Sequence, residues 1–398
     1  MKPYVLYAIV SLLVWNLFPD ESKGQSLSPC MTEDWNLSAC QGLAERTDDI
    51  GARAKLQLGA AYLFGLQGLT RSLEDAVGNF TSAAAENYAP AQNIIGSMYF
   101  LGRGVQQSYE QARLYFDQAA ASNYAPALNN LGVMYVNDLV PGMGDEEALQ
   151  VFSRAAGLNY PPSLNNLGVM YLNGLGISED NDYQQAERQF SSAADLGYAP
   201  AQNNLGVMHL EGWGTVQSGR IARDLFADAA RQNYVPAYFN LGLLYDLGEG
   251  VGKDYEQAAS WYQAGASRGD SKAQYNLAIK HARGEGVGQD FEEAHFWFNL
   301  ALEGGIDDAQ QGADATYELL TMEQKERAQS KYELFRQFES ESLAQVESGQ
   351  PVYLYNEAEA LPELGGLLRE AMSWPRVTSS AMAPVSYTGS MEKFEIKF

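Results

Sequence analysis

Three kinds of residue are scarce in this chain, and each scarcity removes a class of function. There are 2 cysteines and 3 histidines in 398 residues. A thiolate zinc site needs more cysteines than that, and a redox dithiol needs a CxxC pair that is absent. Histidine-based nucleophilic or metal chemistry has little to draw on. Basic residues are also few, 26 Lys and Arg against 50 Asp and Glu, which leaves a net charge of -24. Such a surface cannot readily follow a phosphate backbone, so nucleic acid is disfavoured as a partner. Long-range attraction to an anionic membrane surface is disfavoured too. The acidity itself describes a well-solvated surface with some preference for cationic partners.

The first residues read as an export signal. Met1 and Lys2 precede an apolar run from Tyr4 to Phe18. That run is 15 residues long, short of the roughly 20 that span a bilayer but right for the core of a secretory leader. Ser22 and Gly24 supply small residues before a cut at Gln25, which makes 1–24 a signal peptide. The alternative is an uncleaved anchor. Either way the expectation is a periplasmic or secreted chain with no transmembrane domain once mature. Cys30 and Cys40 follow in the 25–51 segment, and an even pair in an oxidising compartment predicts a disulfide between them. Pro29 beside Cys30 is a poor fit to a lipid-attachment motif.

Internal repetition dominates the rest. A Leu-Gly pair or close variant ends at Gly59, Gly96, Gly132, Gly168, Gly206, Gly242 and Ala278, at spacings of 37, 36, 36, 38, 36 and 36. Three residues later stands Tyr62, Tyr99, Tyr135, Tyr171, His209, Tyr245 or His281, on the same helical face. A glycine-containing loop follows, such as Gly102–Gly104 or Gly248–Gly250. Then comes a second helix with alanine at 76, 112, 148, 186, 222, 258 and 294, and a large ring four residues on, from Phe80 to Phe298. Each unit closes on a segment such as NYAPA, whose proline suits the first turn of the next helix. Small residues let two helices approach, and a ring one turn away fills the gap between them. A single hairpin leaves an apolar face bare, so neighbours must stack to cover it. The fold class expected is an all-α superhelical solenoid.

This pattern, over about 52 to 305, resembles the Sel1-like repeat family, a relative of the tetratricopeptide repeats. The resemblance implies a curved superhelix with a concave groove that serves as an adaptor or scaffold. For exported bacterial members it implies envelope assembly, exopolysaccharide handling or host interaction. Some cysteine-rich relatives are described as hydrolases acting on β-lactams, but the paired cysteines of every repeat are absent here. The GxG loops sit between helices, not after a strand, so they do not read as nucleotide-binding glycines. The acidic pairs Glu179-Asp180 and Asp307-Asp308 match no calcium loop.

Candidate binding residues form a second column. Asn130, Asn166, Asn204, Asn240 and Asn276 each stand two residues before the signature Gly or Ala. They either line the groove and hold a partner's backbone or satisfy groups between neighbouring repeats. Trp213, Trp261 and Trp297 are candidates for stacking on sugar rings. The loop Asn137–Gly144, which lost its GxG form, and the longer loop after Gly176 are surface variation or one edge of a binding surface. After Gly305 the pattern decays. The segment 306–346 reads as C-terminal capping helices, with Thr321 and Gln324 at the two positions of a capping box. The segment 347–398 is non-repeat. It reads as a tail, either disordered or ending in a pairing strand at Phe394, Ile396 and Phe398. No catalytic residue, metal or cofactor is expected. The function expected is an exported scaffold or adaptor binding a protein partner of the bacterial envelope. The alternative is a peptidoglycan- or polysaccharide-binding module or hydrolase that takes a cell-wall glycan.

Overall fold

The computed structural model describes residues 37–65, 68–177 and 182–348, with side chains to 337. The leader 1–24, Cys30 and the segment from 349 lie outside them. Among the described residues there are seventeen helices and no strand. The chain divides into two compact units. One runs to Met170 and includes Leu175–Ser178, and the other is made of Tyr171–Gly174 and Glu179–Ala344.

The first unit holds α1 (Leu37–Ala44), α2 (Asp49–Phe64), α3 (Leu73–Ala85), α4 (Ala89–Leu101), α5 (Tyr109–Ala121), α6 (Ala125–Val136), α7 (Asp145–Ala156) and most of α8 (Pro161–Asn173). The second holds α9 (Tyr183–Asp195), α10 (Ala199–Glu211), α11 (Gly219–Arg231), α12 (Val235–Leu247), α13 (Tyr255–Ala266), α14 (Ser271–Arg283), α15 (Phe291–Glu303) and α16 (Ala309–Leu319). The last helix, α17 (Met322–Ser348), belongs to it as far as Ala344. Within each unit a helix packs mainly on the helices next to it in the chain. This is the contact pattern of stacked hairpins, an all-α solenoid.

Local chemistry sets the helix ends. Ser72, Ser108, Asp182, Ser218, Asp254 and Asp290 cap the second helix of their hairpins, each accepting from the amide three residues on. The first helices, apart from α6, which ends at Asn137, stop where a glycine takes the left-handed conformation. Gly102, at φ 71°, returns its N–H to the Met98 carbonyl. The repeat ends in a left-handed Asn at 87, 123, 159 and 233. Asparagine tolerates that region better than most residues.

The core is the meeting of glycine and ring. A methyl group on Gly132 would lie 2.5 Å from the Phe152 ring, and one on Gly96 2.8 Å from Phe116. Gly206 meets Phe226 in the same way, and Gly242 meets Tyr262. Phe80, Phe116, Phe152, Phe190, Phe226, Tyr262 and Phe298 are all wholly or almost wholly buried. Alanines on the second helix, such as Ala112 and Ala119, close the space beside the ring.

After Gly305 the signature lapses: Asp314 stands 36 residues after Ala278, although α16 still packs on α15 with Gly312 against the Phe298 ring. The expected disulfide reaches beyond the described residues. No bridge is seen between described residues, since Cys30 lies outside them. Cys40 sits wholly buried against Ala54 and Leu58, its Sγ 4.0 Å from the Ala54 carbonyl oxygen. Its place follows from the packing of α1 on α2. The capping box stands as read. Thr321 and Gln324 exchange hydrogen bonds at 3.0 and 3.3 Å, and α17 lies on α15 through a Phe335–Phe296 contact and the Arg327–Glu292 ion pair.

Candidate functional site

The asparagine column is a ladder. Asn130 Nδ2 donates to Asn93 Oδ1 at 2.9 Å, Asn166 to Asn129 at 3.0 Å, and Asn240 to Asn203 at 2.8 Å. Each bond joins one repeat to the preceding one. The acceptors stand one residue earlier than the predicted column, three before the signature glycine. Sequence reasoning passed over them, although the doublets Asn129-Asn130, Asn165-Asn166 and Asn203-Asn204 display them. Asn129 Oδ1 also accepts from Ser163 Oγ at 2.9 Å. Asn203 Nδ2 reaches Asn204 Oδ1 at 3.5 Å. The ladder ends where Phe239 replaces the acceptor. Asn276 then donates to the Lys272 carbonyl of its own helix at 3.1 Å. Asn204, Asn240 and Asn276 are buried, and Asn130 and Asn166 half-buried.

A second polar inclusion lies between repeats six and seven. Lys280, 2% exposed, is 2.6 Å from Asp246 Oδ1 and 2.8 Å from Glu285 Oε2. Tyr262 Oη lies 3.4 Å from Asp246 Oδ2. The Tyr255 ring covers the ammonium, with its centroid at 4.4 Å. Burial first, and then the Asp246 charge, pushes the Tyr262 phenol well above its ordinary range. Two carboxylates around a buried ammonium are the arrangement that makes burial of a lysine tolerable. In other repeats these places hold apolar groups. Met98, Met134, Met170, Met208 and Leu244 precede Lys280 in its column, and Phe100 and Leu210 precede Asp246 in its own. That break in two columns was the legible signal.

The histidines are packing residues. His209 Nδ1 lies 3.3 Å from both Thr215 Oγ1 and the Val216 carbonyl oxygen. His295 bonds the Ala313 carbonyl at 2.9 Å. Burial lowers the pKa of both His281 and His295. Trp261 packs on Tyr238 and Trp297 on Phe296, while Trp213 stacks on Tyr183 at 6.1 Å. Val140 buries the odd loop of repeat three, and Glu147 accepts from its Gly144 amide. Among the described residues no group of three or more His, Cys, Asp or Glu could hold a metal ion, and no helix is long and apolar enough to cross a membrane.

Comparison with known proteins follows these columns. The Sel1 repeat model matches seven successive times, at 52–88, 89–124, 125–160, 161–198, 199–234, 235–270 and 271–306. No curated protein matches the chain. A Sel1 repeat protein from Oxalobacter formigenes is similar in structure, at a TM-score of 0.55 and 24% identity over 77% of this chain and 85% of that one. A protective antigen of uropathogenic Escherichia coli with an SLR fold matches at a TM-score of 0.48 and 22% identity, over 89% of each chain. The immunity protein Pa5087 of Pseudomonas aeruginosa matches at a TM-score of 0.38 and 21% identity, over 54% of this chain and 81% of that one. At these identities the first likeness speaks for the fold alone. With the repeat model matched seven times in succession across 52–306, the chain belongs to the Sel1 repeat family.

Proposed function

We propose that this chain is an exported scaffold that holds a protein partner, in keeping with the general protein-interaction role that the repeat architecture supports. One observation carries the reading: what recurs is buried, and what varies stands half-exposed on the loops. The ring, the signature glycine and the alanines recur and build the frame. The middle residue of the loop changes from Arg103 to Leu175, Trp213, Glu249 and Glu285. A rigid frame that presents changing side chains at fixed intervals suits recognition. The reading of export rests on the apolar run Tyr4–Phe18, outside the described residues. The asparagine column enters as a register device whose half-buried members, Asn130 and Asn166, border any partner on that face. Trp213, on its loop, keeps a glycan as the second reading, with the half-exposed ring pair Tyr183–Trp213 as the platform.

Cross-linking in intact cells, followed by capture of the chain and mass spectrometry of proteins and glycans, tests this. One or a few envelope proteins recovered repeatedly are the expected result. Polysaccharide or peptidoglycan fragments without a stable protein partner would transfer the role to glycan binding. Turnover of an envelope substrate by the purified chain would defeat both.

A further inference from the structure

Six of the seven second helices leave one position bare. Two residues after the recurring alanine stand Gly78, Leu114, Gln150, Arg188, Asp224 and Ser260, all exposed. Repeat seven places Phe296 there, and α17 covers the ring until it is 4% exposed. Around it α15 presents a stripe of carboxylates, with Glu292 and Glu293 one turn before the ring and Glu303 two turns after.

α17 answers that stripe group by group. Arg327 meets Glu292 at 2.5 and 3.1 Å, Lys331 pairs with Glu293, and Arg336 lies 3.5 Å from Glu303. Lys331 Nζ also stands 4.4 Å from the centre of the Phe296 ring, and Phe335 meets that ring edge-on at 5.6 Å. Arg327, Lys331 and Phe335 are spaced four apart, so one face of α17 carries all three. The fit is specific but thin. Among the described side chains of α17 only Ala328 is buried, while Tyr332 and Phe335 are half-buried. Arg327, Lys331 and Arg336 remain 53%, 44% and 49% exposed, so water and salt screen each pair. Nor do the two helices close on each other. A cleft of about 610 Å³ lies along them, lined by Asp290, Glu293, Glu326, Ser330 and Lys331, among others. A helix held fast by a core buries an apolar stripe. Elements with few buried apolar contacts are the ones that open first.

We propose that α17 is a displaceable strap, and that the α15 face beneath it docks a partner's helix with the same stripe: two cations one turn apart and an aromatic ring one turn further on. The charge on the face chooses this occupant. When the strap leaves, Glu292, Glu293 and Glu303 lose their partners around a bared ring, in a chain of net charge -24. A basic helix is drawn to such a face and an acidic one repelled. The proposal rests on the scaffold reading and names the chemistry of its partner.

The probe is a labelled peptide copying residues 322–337, titrated on the full chain and followed by fluorescence anisotropy. It should bind the natural chain weakly, because the tethered strap competes with it. The Arg327→Glu, Lys331→Glu chain should bind it at least tenfold more tightly. Adding Glu292→Lys and Glu293→Lys to that chain should let its own strap close again and weaken the peptide at least tenfold. A scrambled peptide of the same composition should bind none of the three. Hydrogen exchange reads the strap directly. α17 should exchange faster in the Arg327→Glu, Lys331→Glu chain, with α14 and α15 unchanged, and slow again in the fourfold variant. Loosening of α14 and α15 along with α17 would make α17 a fixed cap and overturn the proposal. Failure of the peptide to bind the opened chain, or equal binding of the scrambled one, overturns it as well. Dimers of the natural chain that the same reversals abolish would give the face to a second copy, and so also overturn it. The peptide reports the face without any cellular partner, so failure to capture a protein from cells counts against the scaffold reading alone.

Discussion

A single hydrogen atom on the signature glycine decides how close two helices come. With Phe152 2.5 Å from where a methyl carbon would stand, Gly132→Ala forces the ring off its rotamer or the helices apart. Overpacking of this kind costs about 1–3 kcal/mol. The denaturation midpoint in urea should fall accordingly, while an exposed change such as Gln118→Ala leaves it within error. The Lys280 inclusion makes a sharper residue-scale case. Asp246→Leu or Lys280→Met alone breaks a buried pair and should destabilise by about 3–5 kcal/mol. The double variant restores the apolar columns and should recover most of that loss, and Tyr262→Phe added to it should cost little, because its acceptor is gone. A double-mutant cycle in denaturant measures the coupling. Additive losses would show that the two charges do not act as a pair.

Between elements, the side-chain ladder holds one hairpin in register with the next. Asn129 Oδ1 receives both Ser163 and Asn166, so Asn129→Leu orphans two donors at once. Each buried orphan costs about 1–3 kcal/mol. Hydrogen exchange should show α6 and the start of α8 opening more readily, with α2 and α3 unchanged. Uniform loosening of the whole unit would contradict the picture of neighbour-by-neighbour stability that stacked hairpins imply. The same variant bears on recognition. If the column serves only register, partner capture falls in proportion to the folded fraction and no further.

For the molecule as a whole, a net charge of -24 means self-repulsion. Repulsion reaches about 30 Å at 0.01 M salt and about 8 Å at 0.15 M. The melting temperature should therefore rise as salt is added over that range. A fall would mean that exposed ion pairs such as Arg327–Glu292 and Arg113–Asp117 outweigh the net charge, contrary to the small contribution expected of surface pairs. The same acidity restricts partners, because attraction at long range favours basic surfaces.

Much of the architecture was legible because it is local. Helix ends follow from Ser108 or Asp254 as caps, from Gly102 in the left-handed region and from proline at the start of α4, and each acts within a few residues of itself. The repeat period then orders neighbouring hairpins, because a signature glycine and a ring recurring together have few ways to pack. What the tertiary structure alone decided are contacts across about a repeat length. Asn166 could bind a partner or a neighbour, and only the arrangement of α6 beside α8 shows Asn129 Oδ1 waiting for it. Lys280 and Asp246 each break an apolar column in plain view, yet their pairing needs two turns of adjacent helices to face each other. The physical reason is common to both: a backbone conformation is chosen by near neighbours, whereas a buried polar side chain is satisfied by whichever group folding brings to it, and that group stands a whole hairpin away.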